Sequence, residues 1–123
     1  MSTERVIVQR GVSERLIEVL TKLFSSLKAG NIADPNVQLS CLFNDSHAEN
    51  VISMIREAKE EGAEILVGDM SREDAIVQPH LLLGVRPGMR AWEKESFGPS
   101  KIYIIHPTFL MLTYKISAGY CCC

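Results

Sequence analysis

Three things are scarce in this sequence: an excess of one charge, internal cysteine and long hydrophobic runs. Lysine and arginine number 13 against 15 aspartates and glutamates, a formal net charge of -2. No basic stripe exists to neutralise phosphates, so charge gives no argument for a nucleic-acid partner. Cys41 is the only internal thiol, while Cys121, Cys122 and Cys123 adjoin at the end. Adjacent cysteines bridge one another only with severe strain, so no disulfide framework is legible. The spacing of His47, His80 and His106 relative to these cysteines matches no zinc pattern. Residues 1–10 alternate polar and apolar without the apolar core of a signal peptide, so the expected compartment is the cytoplasm. The apolar stretches near the end, Ile102-Tyr103-Ile104-Ile105 and Phe109-Leu110-Met111-Leu112, fall short of the ~20 residues of a membrane helix. Internal repeats and low-complexity segments are lacking as well.

What is present reads as one modest α/β unit. Hydrophobic residues make up 46% and charged residues 23% of 123 residues, ordinary for a single domain. Val6-Ile7-Val8 is a β-branched run and reads as a buried strand, ended by Gly11. Ser13 is a candidate N-cap with Glu14 in the first turn. Leu16, Ile17, Leu20, Leu23, Phe24 and Leu27 follow at helical spacing, predicting a helix over 13–29 that stops at Gly30. Residues 31–44 contain Pro35 and no period, hence a loop. Ser46-His47-Ala48-Glu49 has the form of a capping box, and the helix it opens would bury Ala48, Val51, Ile52, Ile55 and Ala58 before closing at Gly62. Ile65-Leu66-Val67 reads as a second strand, residues 68–73 as turns, and Ile76-Val77 and residues 81–85 as extended chain. Pro79 and Pro87 argue against a central ladder position for that last segment. Pro87-Gly88 then turns into a short amphipathic piece holding Met89 and Trp92. The alternation predicts a largely parallel sheet with packed helices, the 6–8 strand lying beside the 65–67 strand.

Over residues 5–99 several ordered features resemble the catalytic domain of the aldehyde dehydrogenase superfamily. They are Arg5-Val6-Ile7-Val8, the long helix ending near Gly30, the run AKEEGAEILVG that starts at Ala58, Gln78-Pro79-His80 before a strand, and Glu95-Ser96-Phe97-Gly98-Pro99. The last is the most specific, because Glu-x-Phe-Gly-Pro is a hallmark of the family. The wording around Gln78 and Trp92 looks most like the branch acting on aromatic aldehydes such as salicylaldehyde or vanillin.

The resemblance implies an incomplete aldehyde dehydrogenase catalytic domain, α/β in class, over residues 1–99. It implies NAD or NADP as cofactor and an aldehyde as substrate: a thiolate adds to the carbonyl, hydride passes to the nicotinamide, and water releases the acid. Glu95 matches the glutamate that hydrogen-bonds the nicotinamide ribose, a task suited to a carboxylate because it accepts from two hydroxyls. Phe97 matches the aromatic that packs near the nicotinamide. His47 stands near a position where a polar residue commonly touches ribose. Departures matter equally. In the family the nucleophilic cysteine lies in a Gly-Gln-x-Cys motif, and by that alignment Met1 falls just after it. The general base, the oxyanion-hole asparagine and the main dinucleotide fold align further upstream. Ser40-Cys41 replaces a usual Gly-Pro. Residues 100–123 are expected to be an unrelated, poorly packed apolar tail ending in cysteines.

Plainer readings stand beside these. Glu95 alone would be a solvated carboxylate, but its motif favours a cofactor contact, and Phe97 can be core as well. A nucleophilic Cys41–His47 pair is conceivable, yet a loop cysteine is ordinarily a small apolar residue. The terminal cysteines would suit lipid attachment, although the end is not a C-a-a-X box, and sequence past a lost reading frame explains them better. The chain is therefore expected to be inactive alone, with no catalytic or metal-binding residue of its own. The alternative is a non-catalytic protein that pairs with full-length relatives through an open sheet edge.

Overall fold

The computed structural model describes residues 5–106. Nine elements follow one another: β1 (Arg5–Gln9), α1 (Arg10–Ser26), α2 (Asp45–Glu60), β2 (Glu64–Val67), β3 (Arg72–Glu73), β4 (Ile76–Val77), β5 (His80–Leu83), α3 (Arg90–Glu93) and β6 (Ser100–His106). The main sheet has the order β1-β6-β5-β2, and β3 and β4 form a separate hairpin. β6 runs parallel to both β1 and β5, whereas β2 is antiparallel to β5.

This topology confirms the α/β class and corrects its details. β1 and β2 share a sheet but occupy opposite edges, with β6 and β5 between them. The expected direct neighbour of β1 is replaced by a strand from beyond Pro99. The sheet therefore continues past the boundary expected there: Arg5 registers with Ile102 and Gln9 with His106. An apolar run placed after a turn finds two open parallel edges, and ladder pairing outweighs the change in its composition. Residues 107–123, including the 109–112 run and the three terminal cysteines, lie outside the described residues. β5 is an interior strand despite Pro79. The proline stands one residue before the ladder, and His80 supplies the first donor, its N–H reaching Pro99 O at 2.9 Å.

Strand alternation divides the core in two. Leu82 points towards α2 and packs with Val51, Ile52, Ile55, Val77, Val85 and Met89. Leu81 points to the other face and packs with Phe24 of α1, flanked by Leu16, Leu20 and Leu83. The sheet is thus a middle layer between the two long helices. Their ends differ from the sequence expectation for identifiable reasons. α1 starts at Arg10, directly after the strand, and Ser13 lies buried one turn in, its Oγ donating to Arg10 O at 2.8 Å. A serine on the inner face bonds its own helix and is not free to cap. α1 stops at Ser26 because residues 28–30 are drawn into extended pairing: Gln78 Nε2 donates to Ala29 O at 3.1 Å and its Oε1 accepts from Ala29 N at 3.0 Å. α2 is capped by Asn44, whose Oδ1 accepts from His47 N at 2.8 Å, while Ser46 Oγ donates to the same oxygen. Its expected stripe is buried, and it ends with Ala63 N–H bonded to Ala58 O and Gly62 N–H to Lys59 O, closing at the glycine read from sequence.

Candidate functional site

Residues 95–99 link α3 to β6 and lie against α2. Both attachments depend on residue type. Gly98 sits on Val51, where an added Cβ would stand 2.8 Å from Val51 Cγ2, so only glycine allows this approach. Ser96 is buried, and its Oγ accepts from Gly98 N at 3.4 Å. At the far end Pro99 O is held by His80 N–H. α3 is itself tied to α2: Arg90 pairs with Glu57 at 2.8 Å and also bonds Asn50. The arm is therefore fixed from both sides, to α2 through Gly98 and α3 and to β5 through Pro99.

That anchoring displays Phe97. Its ring is 53% exposed although its neighbours Ser96 and Gly98 are held inward. Its backbone adopts φ 50°, a left-handed conformation costing a phenylalanine about 1 kcal/mol or more. The ring meets His47 edge-on, centroids 6.1 Å apart. His47 comes from the first turn of α2, so two residues fifty positions apart in sequence face one another. Glu95 is half-buried at the start of the arm, and its carboxylate makes no hydrogen bond or ion pair among the described residues. A half-buried carboxylate with vacant lone pairs, one residue removed from a presented aromatic ring, suits a ligand offering hydroxyl donors and a flat ring.

The remaining sequence candidates fall elsewhere. Cys41 is a half-buried free thiol whose contact is Ser40 Oγ at 3.9 Å, while the His47 ring is turned to Phe97. Among the described residues no three of His, Cys, Asp and Glu gather as a metal site. No described helix is long and apolar enough to cross a membrane. Sequence reasoning singled out Glu95 and Phe97 but missed what supports them. The contact of Gly98 with Val51 and the reach of His80 to Pro99 are long-range, and the glycine inside the motif was the one available signal.

A sequence model of the aldehyde dehydrogenase family matches residues 1–106, and the chain belongs to that family. It is 36% identical over 104 residues to vanillin dehydrogenase of Pseudomonas fluorescens, covering 85% of this chain and 21% of that protein. Among solved structures it is similar to an aldehyde dehydrogenase from Brucella melitensis biovar abortus (29% identity, TM-score 0.78, 85% of this chain and 22% of that one). It is also similar to succinic semialdehyde dehydrogenase from Streptococcus pyogenes, solved with NADP+ as the cofactor (28% identity, TM-score 0.77, 85% and 24%). The chain thus spans about a fifth of the length of the curated relatives it matches.

Proposed function

We propose that the 95–99 arm is the nicotinamide end of an aldehyde dehydrogenase cofactor site, and that this 123-residue chain on its own does not turn over aldehydes. The observation that carries the first part is the arm itself, anchored through Gly98 and Pro99 while Phe97 is exposed and the half-buried Glu95 carboxylate has no bond among the described residues. Glu95 would accept hydrogen bonds from the ribose hydroxyls of NAD or NADP, and Phe97, steadied by His47, would pack near the nicotinamide ring. When bound, the nicotinamide supplies the hydride acceptor for oxidation of an aldehyde to an acid. The second part rests on Cys41. A thiol becomes nucleophilic beside a base or a cation, and its contact here is a serine hydroxyl. Likeness to vanillin dehydrogenase makes aromatic aldehydes the first substrates to try.

Titration of NAD and NADP into the chain, followed by saturation-transfer NMR on the nicotinamide protons, tests the site. Contacts to one end of the cofactor should give a Kd of about 1 mM, where ΔG is about -4 kcal/mol. Glu95→Gln and Phe97→Ala should each abolish the signal, and binding indifferent to both changes would refute the assignment. Nicotinamide absorbance with benzaldehyde-type and aliphatic aldehydes tests turnover, beside Cys41→Ser. Activity lost in Cys41→Ser would make that thiol a nucleophile after all.

A second reading is favoured by one observation: Val12, Val19 and Leu23 on α1 are more than half exposed. Apolar side chains along one helix suit a protein partner, and a full-length relative is the partner proposed. Co-elution with a full-length vanillin dehydrogenase, weakened by Leu23→Lys, is the expected result.

A further inference from the structure

His80 is the one fully buried ionisable side chain among the described residues, and the cofactor contacts proposed above do not include it. Both ring nitrogens are engaged. Nε2 accepts from Met70 N–H at 3.1 Å, so it carries no proton, and Nδ1–H must donate to Gln78 O at 2.7 Å. The neutral imidazole is thereby held in one tautomer. The ring also fills the space beside Gly68, where a Cβ would lie 2.2 Å from Cδ2. Gly68 (φ 103°) and Met70 (φ 61°) are both left-handed. The 68–71 turn is thus moulded on this ring by a contact and a hydrogen bond.

We propose that His80 is a proton-sensitive latch on the 68–71 turn: a proton on Nε2 turns an acceptor into a donor facing the Met70 N–H, and the turn is released. The charged group facing the ring is Asp69 of the turn itself. The other ring contacts are neutral: the Met70 amide, the Gln78 carbonyl and the Gly68 backbone, while Pro99 O, just before β6, bonds the His80 main chain. Burial holds the His80 pKa below its ordinary 6.5, opposed by the bond to Gln78 and the Asp69 carboxylate. Opening restores the ordinary value, so the latch holds above pH 6.5 and weakens as pH falls from there towards the lowered folded value. Asp69 is bonded by Ser71 N and Oγ, which lowers its own pKa, so it stays ionised across that window.

Met70 packs against the α2 core as a partly buried residue, so release loosens that margin, while Val51 and Ile55 stay enclosed at its centre. The turn also borders a shallow depression lined by Phe24, Ser25, Leu27 and Gln78, so its release reshapes that surface. Two-dimensional NMR of the 123-residue chain tests the idea, with amide protection corrected for intrinsic exchange. Met70 protection should fall about tenfold or more between about pH 7.5 and about pH 5, in step with the His80 ring titration, while the amides of Val51 and Ile55 keep theirs. In His80→Gln, which cannot take up the proton, Met70 protection should no longer depend on pH. Constant Met70 protection while His80 titrates overturns the proposal. So does equal loss at Met70 and in α2, because that is global unfolding. Should His80→Gln fail to fold, the wild-type comparison of Met70 with Val51 still decides.

Discussion

Helix α2 buries Ala48, Val51, Ile52, Met54, Ile55 and Ala58, whereas α1, one residue longer, buries only Ser13 and Phe24. Both carry an apolar stripe at helical spacing, so the stripe alone does not account for the difference. What differs is the surface each stripe meets. α2 is enclosed by Leu82 and Ile65 of the sheet, Val77 of the hairpin, and Val85, Met89 and Ala91 on the way into α3. α1 meets the other sheet face alone, where Leu81, Leu83, Val6, Leu66 and Val67 receive Phe24, Leu16 and Leu20. Val12, Val19 and Leu23 lie beyond the reach of that face. One helix is a core element, and the other is a cover with an uncovered flank.

The sharpest way to break this comparison is to remove the strand both halves share. Ending the chain at Pro99 deletes β6, which separates and pairs β1 and β5. Far-UV circular dichroism should show loss of cooperative folding in that shortened chain, and an unchanged melting curve would mean β6 is dispensable. Next in size is a matched pair of truncations. Ile55→Ala should cost about 2–5 kcal/mol in urea unfolding, because a packed core collapses only partly around the void. Val19→Ala should cost no more than about 0.5 kcal/mol, as expected of a surface change.

Two glycine contacts test the rims of the core. Gly98→Ala forces a Cβ to 2.8 Å from Val51 Cγ2, and Gly68→Ala forces one to 2.2 Å from the His80 ring. Each should cost about 1–3 kcal/mol by overpacking, with the larger loss at Gly68, where the left-handed backbone adds strain. Caps give a smaller contrast. Asn44→Ala should lower the stability of the α2 half by about 1 kcal/mol. Ser46→Ala, at the position the sequence pattern favours, should do much less, since Ser46 bonds only the Asn44 side chain. The smallest effect is electrostatic. Hydrogen bonds from Asn36 hold Asp34 below its ordinary 3.8, and those from Ser71 do the same for Asp69. A carboxylate with a depressed folded pKa stabilises above its unfolded value, so these contributions should fade as pH falls below 3.8. An acid limb in the urea midpoint, reduced in Asp34→Ala, is the expected reading.

Much of the frame was legible from sequence because it rests on local rules. The stripe of α2, its stop at Gly62, the strand at 65–67 and the Glu-x-Phe-Gly-Pro motif are all read within a few residues, where period and turn chemistry act. The failures share another cause. Ser13 and Ser46 are good caps by residue type, but burial redirected one and Asn44 took the role of the other. Pro79 looked like an edge signal, yet its offset of one residue left the His80 ladder whole. Residues 100–106 looked foreign by composition and proved to be a central strand.

By itself the sequence determined which residues are apolar, where the chain turns, and that Glu95 and Phe97 belong to one short motif. Tertiary structure decided the rest: that β6 lies between β1 and β5, that Gly98 rests on Val51 so that Phe97 meets His47, and that His80 reaches Met70. Local propensities are set by a residue and its near neighbours in the chain. Strand order and close approach depend on which surfaces remain open once the other elements have packed, and the strand edges that recruit β6 exist only in the folded chain.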